Sequence, residues 1–465
     1  MSTLGSILNI ARSAIHAHQT AVRVGSQNIA NAQTEGYSRQ RVRLVDSSPD
    51  ITPIGRLGTG VTIHDVARVR DTLLDTSFRR ESARSASFDL RQDLLGQIEA
   101  VLGEPSDTGL AASLDAFFSS WSEVAAHPSD PTARRMVVQR AEQLGSQLRS
   151  FSTQLDDLVQ STRTRLTTSV GQINDLAKEV ASLNELIVRE EATGITASDL
   201  RDQRDRLLDS LSQFASIKVT ERSNGSVTLM VENAIVVEGN DWKQLSAAGE
   251  PPVVTVGAAT LRVSSEGSVL GELVATLQTR LPGVQQRLDD LARGLVVQTN
   301  ALHNAGFRPD GSHGGDFFDS TATTARDIRV IATAESIAAS DDATQPANNR
   351  IALAMAGMRD RPANNAIASG IWTPAEANAF GGLSAAEHYR ATVTDLGVQT
   401  RMAEDSAAVY ETLASQLDLR RQSISGVSVD EELIRVMQHQ QAYTAAARLV
   451  NVVDEMMQTI LELKR

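Results

Sequence analysis

The stretch VDEELIRVMQHQQAYTAAARLVNVVDEMMQTILEL, Val429 to Leu463, reads as one long amphipathic helix. Leu433, Val436, Gln440, Tyr443, Ala447, Val450, Met457 and Leu461 follow steps of three and four residues, the period of an apolar helical seam, with only Asp454 out of character. A second stripe, Ala446, Leu449, Val453, Met456, Ile460 and Leu463, runs beside the first, so the apolar band is wider than one partner covers. Ser428 and Glu431 have capping-box spacing and mark its start. At 1.5 Å per residue the rod measures about 54 Å. A helix with two apolar stripes needs neighbours.

The other end of the chain supplies one. Leu4, Leu8, Ala11, Ile15, His18, Val22, Gly25 and Ile29 form a heptad seam that runs to about residue 30. Residues 1 to 46 carry five Arg against two acids, and residues 427 to 465 carry four bases against six acids. The two termini therefore pair as a coiled coil, with lateral contacts between subunits on the remaining band.

Composition narrows the function class. The 465 residues are 41% hydrophobic and can bury large cores, but aromatics are only 4%, which suits long helices better than β-rich cores. A net charge of -13 argues against nucleic acid and against an anionic membrane surface as partners. No run approaches the roughly 18 apolar residues of a membrane span. The amino terminus lacks the apolar core and small-residue cleavage site of a signal peptide, so the chain is cytosolic or exported without a cleavable signal. Cysteine is absent, which removes disulfides, thiolate catalysis and thiolate metal sites together.

Between the ends the period changes twice. Leu73 to Leu102 reads as a helix broken at Glu104 and Pro105, and Leu110, Leu114, Phe117, Phe118 and Trp121 form the apolar face of the next. Asp130 and Pro131 then open the longest periodic run, through Val137, Ala141, Leu144, Leu148, Phe151, Leu155 and Leu158 in heptads. Four-residue steps follow through Thr162, Leu166 and Val170, then Ile173, Leu176, Val180, Leu183 and Ile187. The stutter, with Thr162, Thr164, Thr167, Thr168 and Gly171, lowers helix propensity and predicts a bend or break there. Asp199 to Phe214 is a short returning helix. The period then becomes two: Ile217 and Val219, the hairpin pair Asn224 and Gly225, then Val227, Leu229 and Val231, with further strands from Ile235 to Val237 and Val253 to Val263. Helix resumes at Val269 to about Leu302, and again from Ala385 through Tyr389, Val393, Leu396, Met402, Val409, Leu413 and Leu417.

Three motifs carry a resemblance. Residues 26 to 43, SQNIANAQTEGYSRQRVR, contain NIAN followed by TEGYSRQ; Asn28, Asn31 and Gly36 break the helical pattern there, and propensity alone gives a polar loop. Gly58, Gly60 and Val61 lead to Val66, Arg68, Arg70 and Asp71, a glycine grouping with no phosphate-loop spacing. Ser425 to Glu432, continued by Gln441, Ala442, Tyr443 and Arg448, forms the third. These segments, together with residues 199–214 and 300–318, resemble the flagellar axial proteins, and within them the hook-associated proteins at the junction of hook and filament. The resemblance spans nearly the whole chain.

It implies a fold that is mainly α with a small antiparallel β insertion, elongated and multi-domain, with amino- and carboxy-terminal helices paired as a coiled coil. The expected domains are 1–30 with 427–465 (terminal pair, innermost), 31–215 with 267–426 (helical middle) and 216–266 (β insertion, outermost). It implies a structural subunit that assembles laterally with itself and stacks on the flagellar hook protein. Its other implied partners are a second junction protein, hook-associated protein 3, and an export chaperone that covers the carboxy-terminal helix. Export through the flagellar type III apparatus to the extracellular flagellum would fit the missing signal peptide and cysteines. The implied assembly residues are Leu4, Leu8, Ile15, Val22, Asn28, Ile29, Asn31, Gly36 and Tyr37 at one end. At the other they are Leu433, Val436, Gln440, Tyr443, Leu449, Val450, Val453, Met456, Met457, Ile460 and Leu461. A rod or hook subunit is the alternative within the class; a long-helix scaffold or secreted adhesin is the alternative outside it.

No catalytic, cofactor or metal site is expected. HExxH, GxSxG and P-loop patterns are missing. His303, Asp310, His313 and Asp316 lack calcium-loop spacing, and their glycines suit turns. His16 and His18 point to different helix faces, and His439 has only Glu431 and Glu432 within two turns.

Overall fold

The structure is a computed structural model and describes residues 2–52, 55–104, 106, 108–194 and 196–462. Leu463 of the second stripe and Pro105 of the expected break lie outside them. Helix α1 (Ser2–Ala30) leads to a β-hairpin arm of β1 (Gln40–Asp46) and β4 (Val61–Arg68), with β2 (Asp50–Thr52) and β3 (Gly55–Leu57) paired between them. The polar loop expected up to Arg43 thus gives way to a strand at Gln40. Gln40 pairs with Arg68 of β4, beyond the reach of local propensity.

The body is helical. α2 (Thr72–Leu102) starts on the Asp71 cap and ends at Gly103; α3 (Leu110–Ala126) follows. α4 (Pro131–Glu191) is capped by Asp130 and runs unbroken for 61 residues, about 92 Å. The break expected near Thr162 does not occur. Thr162 is fully buried and its hydroxyl donates to the Leu158 carbonyl at 2.7 Å, so the helix keeps its path through the stutter while its polar atom is satisfied. The seam is buried as read through Ile173 and again at Val180 and Ile187, while the buried face widens to Ala177, Ala181 and Asn184 and leaves Leu176 and Leu183 only partly covered.

α5 (Ser198–Ser212) returns, and α6 (Val269–Ala275) continues through a π-helical turn (Thr276–Arg280) into α7 (Leu281–Ala305), where Pro282 interrupts the regular hydrogen-bond ladder. Short helices α8 (Arg350–Ala356) and α9 (Pro374–Ala377) precede α10 (Ala385–Ser425) and α11 (Val429–Glu462). α2 and α10 lie antiparallel, with Phe88 stacked on Tyr410 at 5.2 Å and the Tyr389 hydroxyl 3.4 Å from the Leu102 carbonyl. α10 buries Tyr389, Leu396, Ala403 and Ala407, whereas Met402, Val409 and Leu413 of the expected stripe face outward.

Aromatics close the body where α3 meets the segment after α7: Phe117, Phe118, Trp121, Phe317 and Phe318 are all within 1% of complete burial. His303 belongs to this core. Its Nδ1 bonds the Gly315 carbonyl at 2.6 Å and its Nε2 accepts from the Ala338 amide at 3.1 Å; burial pushes its pKa down to about 4. Asp310 accepts from the Ser312 amide and hydroxyl, and Asp316 from Asn304, so these acids serve turns.

Strands β5 (Ile217–Glu221), β6 (Val227–Val231), β7 (Ala234–Glu238) and β8 (Asp241–Trp242) form one antiparallel sheet; β9 (Leu245–Ala248), β10 (Val253–Val256) and β11 (Ala259–Thr260) form another. Both are fastened to α4. Asn184 bonds the Val227 amide and carbonyl and the Gly239 carbonyl, and Asn174 bonds the Leu245 amide and carbonyl. A buried amide side chain can offer two donors and accept at two lone pairs, so each Asn acts as a strand-sized splice between helix and sheet.

Candidate assembly interface and its charged anchor

α1 and α11 lie antiparallel: Asn28 meets Glu432, Gly25 meets Val436 and His18 meets His439. A Cβ on Gly25 would stand 2.6 Å from Val436 Cγ2, so the missing side chain sets how closely the helices approach. α1 has two covered faces. One meets α11; the other, with Ala17, Ala21, Val24 and Asn28 buried, is set against the hairpin arm as well. Of the α1 seam, Ala11 is buried and Leu4, Leu8, Ile15, Val22 and Ile29 are half-buried.

The line of α11 that faces α1 runs between the two expected stripes and takes Val436 and Val450 from the first and Ala446 and Val453 from the second. Glu432, Ala446 and Val453 are its buried residues among those described, and Val436, His439 and Val450 are half-buried along the same line. Leu433, Gln440, Tyr443, Met457 and Leu461 of the first stripe and Leu449, Met456 and Ile460 of the second point outward, Leu461 at 67% exposure and Leu449 at 49%. Where apolar residues cover most of a helix, period alone cannot select the contact line. The small side chain of Ala446 and the hydrogen bonds of Glu432 select it instead.

The base of the pair is polar and centred on Asn28. Asn28, completely buried, donates to the Gln40 carbonyl at 2.9 Å and to Glu432 Oε2 at 3.0 Å, and accepts from the Tyr37 hydroxyl at 2.8 Å and the Gln40 amide at 3.0 Å. All four of its valences are used. Asn28 therefore lies inside α1 and does not break it. Burial, together with Asp202 and Glu432, pushes the Tyr37 pKa up to about 12. Asn31 holds the following turn through Gln27 and Thr34, and Gly36, at φ 72°, admits Arg206, which a Cβ would meet at 2.5 Å. Arg39 crosses to the other terminus: its amide donates to the Ser425 carbonyl, one guanidinium nitrogen to the Ile424 carbonyl and another to Glu431 at 3.3 Å.

Beneath this lies a network of four arginines and four aspartates. Ser38 donates its amide and hydroxyl to Asp202. Arg68 bridges Asp202 and Asp205 at 2.8 and 2.7 Å; Arg70 takes Asp75 with two nitrogens and Asp205 with a third. Arg79 joins Asp205 to Asp209, and Arg421 of α10 reaches Asp209 at 2.6 Å while covering the Phe78 ring at 4.0 Å. Burial works to raise the Asp205 pKa, but the guanidiniums of Arg70, Arg68 and Arg79 overcome it and hold the group at about 2. Equal numbers of opposite charges, each hydrogen-bonded, let the network be buried at a tolerable desolvation cost. It ties the hairpin arm, α2, α5 and α10 at the foot of the terminal pair.

Sequence reasoning placed Arg68, Arg70, residues 199–214 and 425–432 in separate motifs; their convergence is a product of the fold. The signal available was the run of Arg and Asp at helical spacing in DLRDQRDRLLD, whose Asp202, Asp205 and Asp209 step by three and four on one face.

Residues 95–318 match the family model described as "Flagellar hook-associated protein FlgK helical domain", and residues 421–463 that described as "Flagellar basal body rod FlgEFG protein C-terminal". Flagellar hook-associated protein 1 of Bacillus subtilis (strain 168) is 30% identical over 494 residues, covering 98% of this chain and 97% of that protein. Its namesake in Salmonella typhimurium (strain LT2) is 25% identical over 555 residues, covering 99% and 100%. The fold is like that of the flagellar hook junction protein FlgK from Burkholderia pseudomallei, with a TM-score of 0.65 at 17% identity over 75% of this chain and 100% of that one. The chain belongs to the flagellar hook-associated protein 1 family.

Proposed function

We propose that this chain is a structural subunit of the bacterial flagellum that forms the junction between hook and filament. The observation that carries the reading is the state of α11: its base is locked into a buried polar anchor, while apolar residues from Leu433 to Leu461 stay exposed on its outer side. A helix so placed is held ready for contacts from outside the chain. Subunits stand side by side, with the terminal pair (1–30 and 427–465) innermost, the helical body (31–215 and 267–426) around it and the strands of 216–266 outermost. They stack on the hook protein below and receive hook-associated protein 3 above.

Before assembly, an export chaperone covers the outer face of α11, and the chain leaves by the flagellar type III route to the extracellular flagellum. Its work is mechanical rather than catalytic; the buried imidazole of His303 is taken up by core hydrogen bonds. Imaging purified hook-filament junctions with this subunit tagged tests the reading. Label confined to hook ends is the expected result. Label along the whole hook or rod, or a deletion strain whose hooks still carry full filaments, overturns it.

A further inference from the structure

Two imidazoles meet across the α1–α11 seam. His18 and His439 stand with their Nδ1 atoms 3.2 Å apart and ring centroids 5.4 Å apart, both half-buried. At that separation two neutral rings share one hydrogen bond, one Nδ1 donating and the other accepting. A first added proton, on the far nitrogen of the donor ring, leaves that hydrogen bond in place; a second, on the Nδ1 of the acceptor ring, converts it into a donor and sets two cations face to face.

The surroundings do not offset that charge. On α11, Glu432 is already held by Asn28 and by Arg435 at 2.6 Å, and Glu431 by Arg39 and Arg435. Arg435 itself adds positive charge near His439. From the hairpin arm Arg41 faces the same Glu431, Glu432 and Arg435 group, while Arg43 and Asp65 are paired with each other. On α1, Arg12, His16 and Arg23 point to solvent. Burial, His18 and Arg435 together lower the His439 pKa, against a smaller pull from Glu432. Beyond the histidines the buried contacts are small: Ala11 on α1, Ala446 and Val453 on α11. Leu4, Leu8, Ile15 and Val450 are only half-buried there, so the packing is thinner than at the anchored Asn28–Glu432 end.

We propose that His18 and His439 form a proton-operated latch between the terminal helices, closed while the pair shares a single proton between its Nδ1 atoms and open when each ring is protonated. A lowered folded-state pKa puts the stabilisation above the ordinary histidine value of about 6.5 and removes it as pH falls below that value. The latch is a property of the single chain. Only its consequence, that acid disfavours the assembly-ready pair, rests on the reading above.

The chain has no cysteine, so Gln19→Cys with Gln438→Cys places spin labels on exposed positions of the two helices without background. Distance distributions of the full chain are recorded from pH 7.5 to 5, with near-UV circular dichroism of the same samples checking that the core around His303, whose lowered pKa also weakens the fold below about 6.5, stays intact. The expected result is one short distance at pH 7.5 and an open-to-closed ratio that rises by up to about tenfold per pH unit below about 6.5 for each proton taken up. His439→Gln, which keeps a hydrogen-bonding side chain but does not titrate, should hold the short distance throughout. An unchanged distance in the parent, or the same transition in His439→Gln, overturns the latch. Should that variant fail to pair at pH 7.5, imidazole NMR of the parent decides. Two protonations that depress each other and track the label separation support the latch, and independent titration without separation overturns it. Because the assay needs no ring, junction imaging can fail while the latch stands, and the reverse.

Discussion

α4 and α11 carry the same spacing of threes and fours and end in opposite states. Along α4, Val137, Leu144, Leu148, Leu155 and Ile173 are sealed under α3, α7 and the strands. Along α11, one line is covered by α1 and the rest of the apolar band stays outside. A heptad pattern states that a helix wants neighbours; the number of elements the same chain can bring to it decides whether the want is met at folding or left for assembly. Four measurements can break or sharpen that contrast.

The largest effect belongs to the closed region. Phe117→Ala opens a cavity among Phe118, Phe317 and Phe318 and should cost about 3–5 kcal/mol of unfolding free energy in denaturant melts. A loss below about 1 kcal/mol would mean that the aromatic core is not closed as described. Next is the anchor: Asp205→Asn leaves Arg68, Arg70 and Arg79 short of a charge at a buried site and should cost about 3 kcal/mol, seen as a lower melting temperature. In the parent, the contribution of Asp205 is present above the ordinary carboxylate pKa near 4 and is lost only as pH falls through about 2.

Asn28→Ala removes four hydrogen bonds and leaves Glu432 with Arg435 alone, so about 2 kcal/mol should be lost, with faster protease cleavage at the α1–hairpin connection than in the parent. Cleavage unchanged from the parent would show that the anchor does not hold α1. The smallest effect on the monomer should come from Leu449→Ser with Leu461→Ser, within about 0.5 kcal/mol, because both side chains face solvent. The same pair should abolish incorporation at hook ends. A destabilised monomer, or normal incorporation, would erase the distinction between α4 and α11.

Much of this was legible in the residues themselves. Asp130 and Pro131 open α4, the face of Phe117, Phe118 and Trp121 is the α3 core, and Asn224 with Gly225 turns β5 into β6. These depend on interactions within a few residues, where propensity, capping and period act directly. The candidate interface was legible in outline: both terminal helices were expected, but not which line of α11 meets α1, nor the hairpin between Gln40 and Arg68 that supports them.

What the sequence determined by itself was therefore the set of elements and their apolar faces, since a helix or strand records its own period. Tertiary structure alone decided three things. It carried α4 unbroken through its threonines, because Thr162 is fully buried by the elements packed on the helix. It gathered Arg68, Arg70, Arg79 and Arg421 onto Asp75, Asp202, Asp205 and Asp209, with Arg421 and Asp209 212 positions apart and Arg421 and Asp75 farther still. It also chose the α11 contact line by close approach at Gly25 and hydrogen bonding at Asn28. Charge pairing and small-residue contact have no period to read, so they become visible only when distant segments are set side by side.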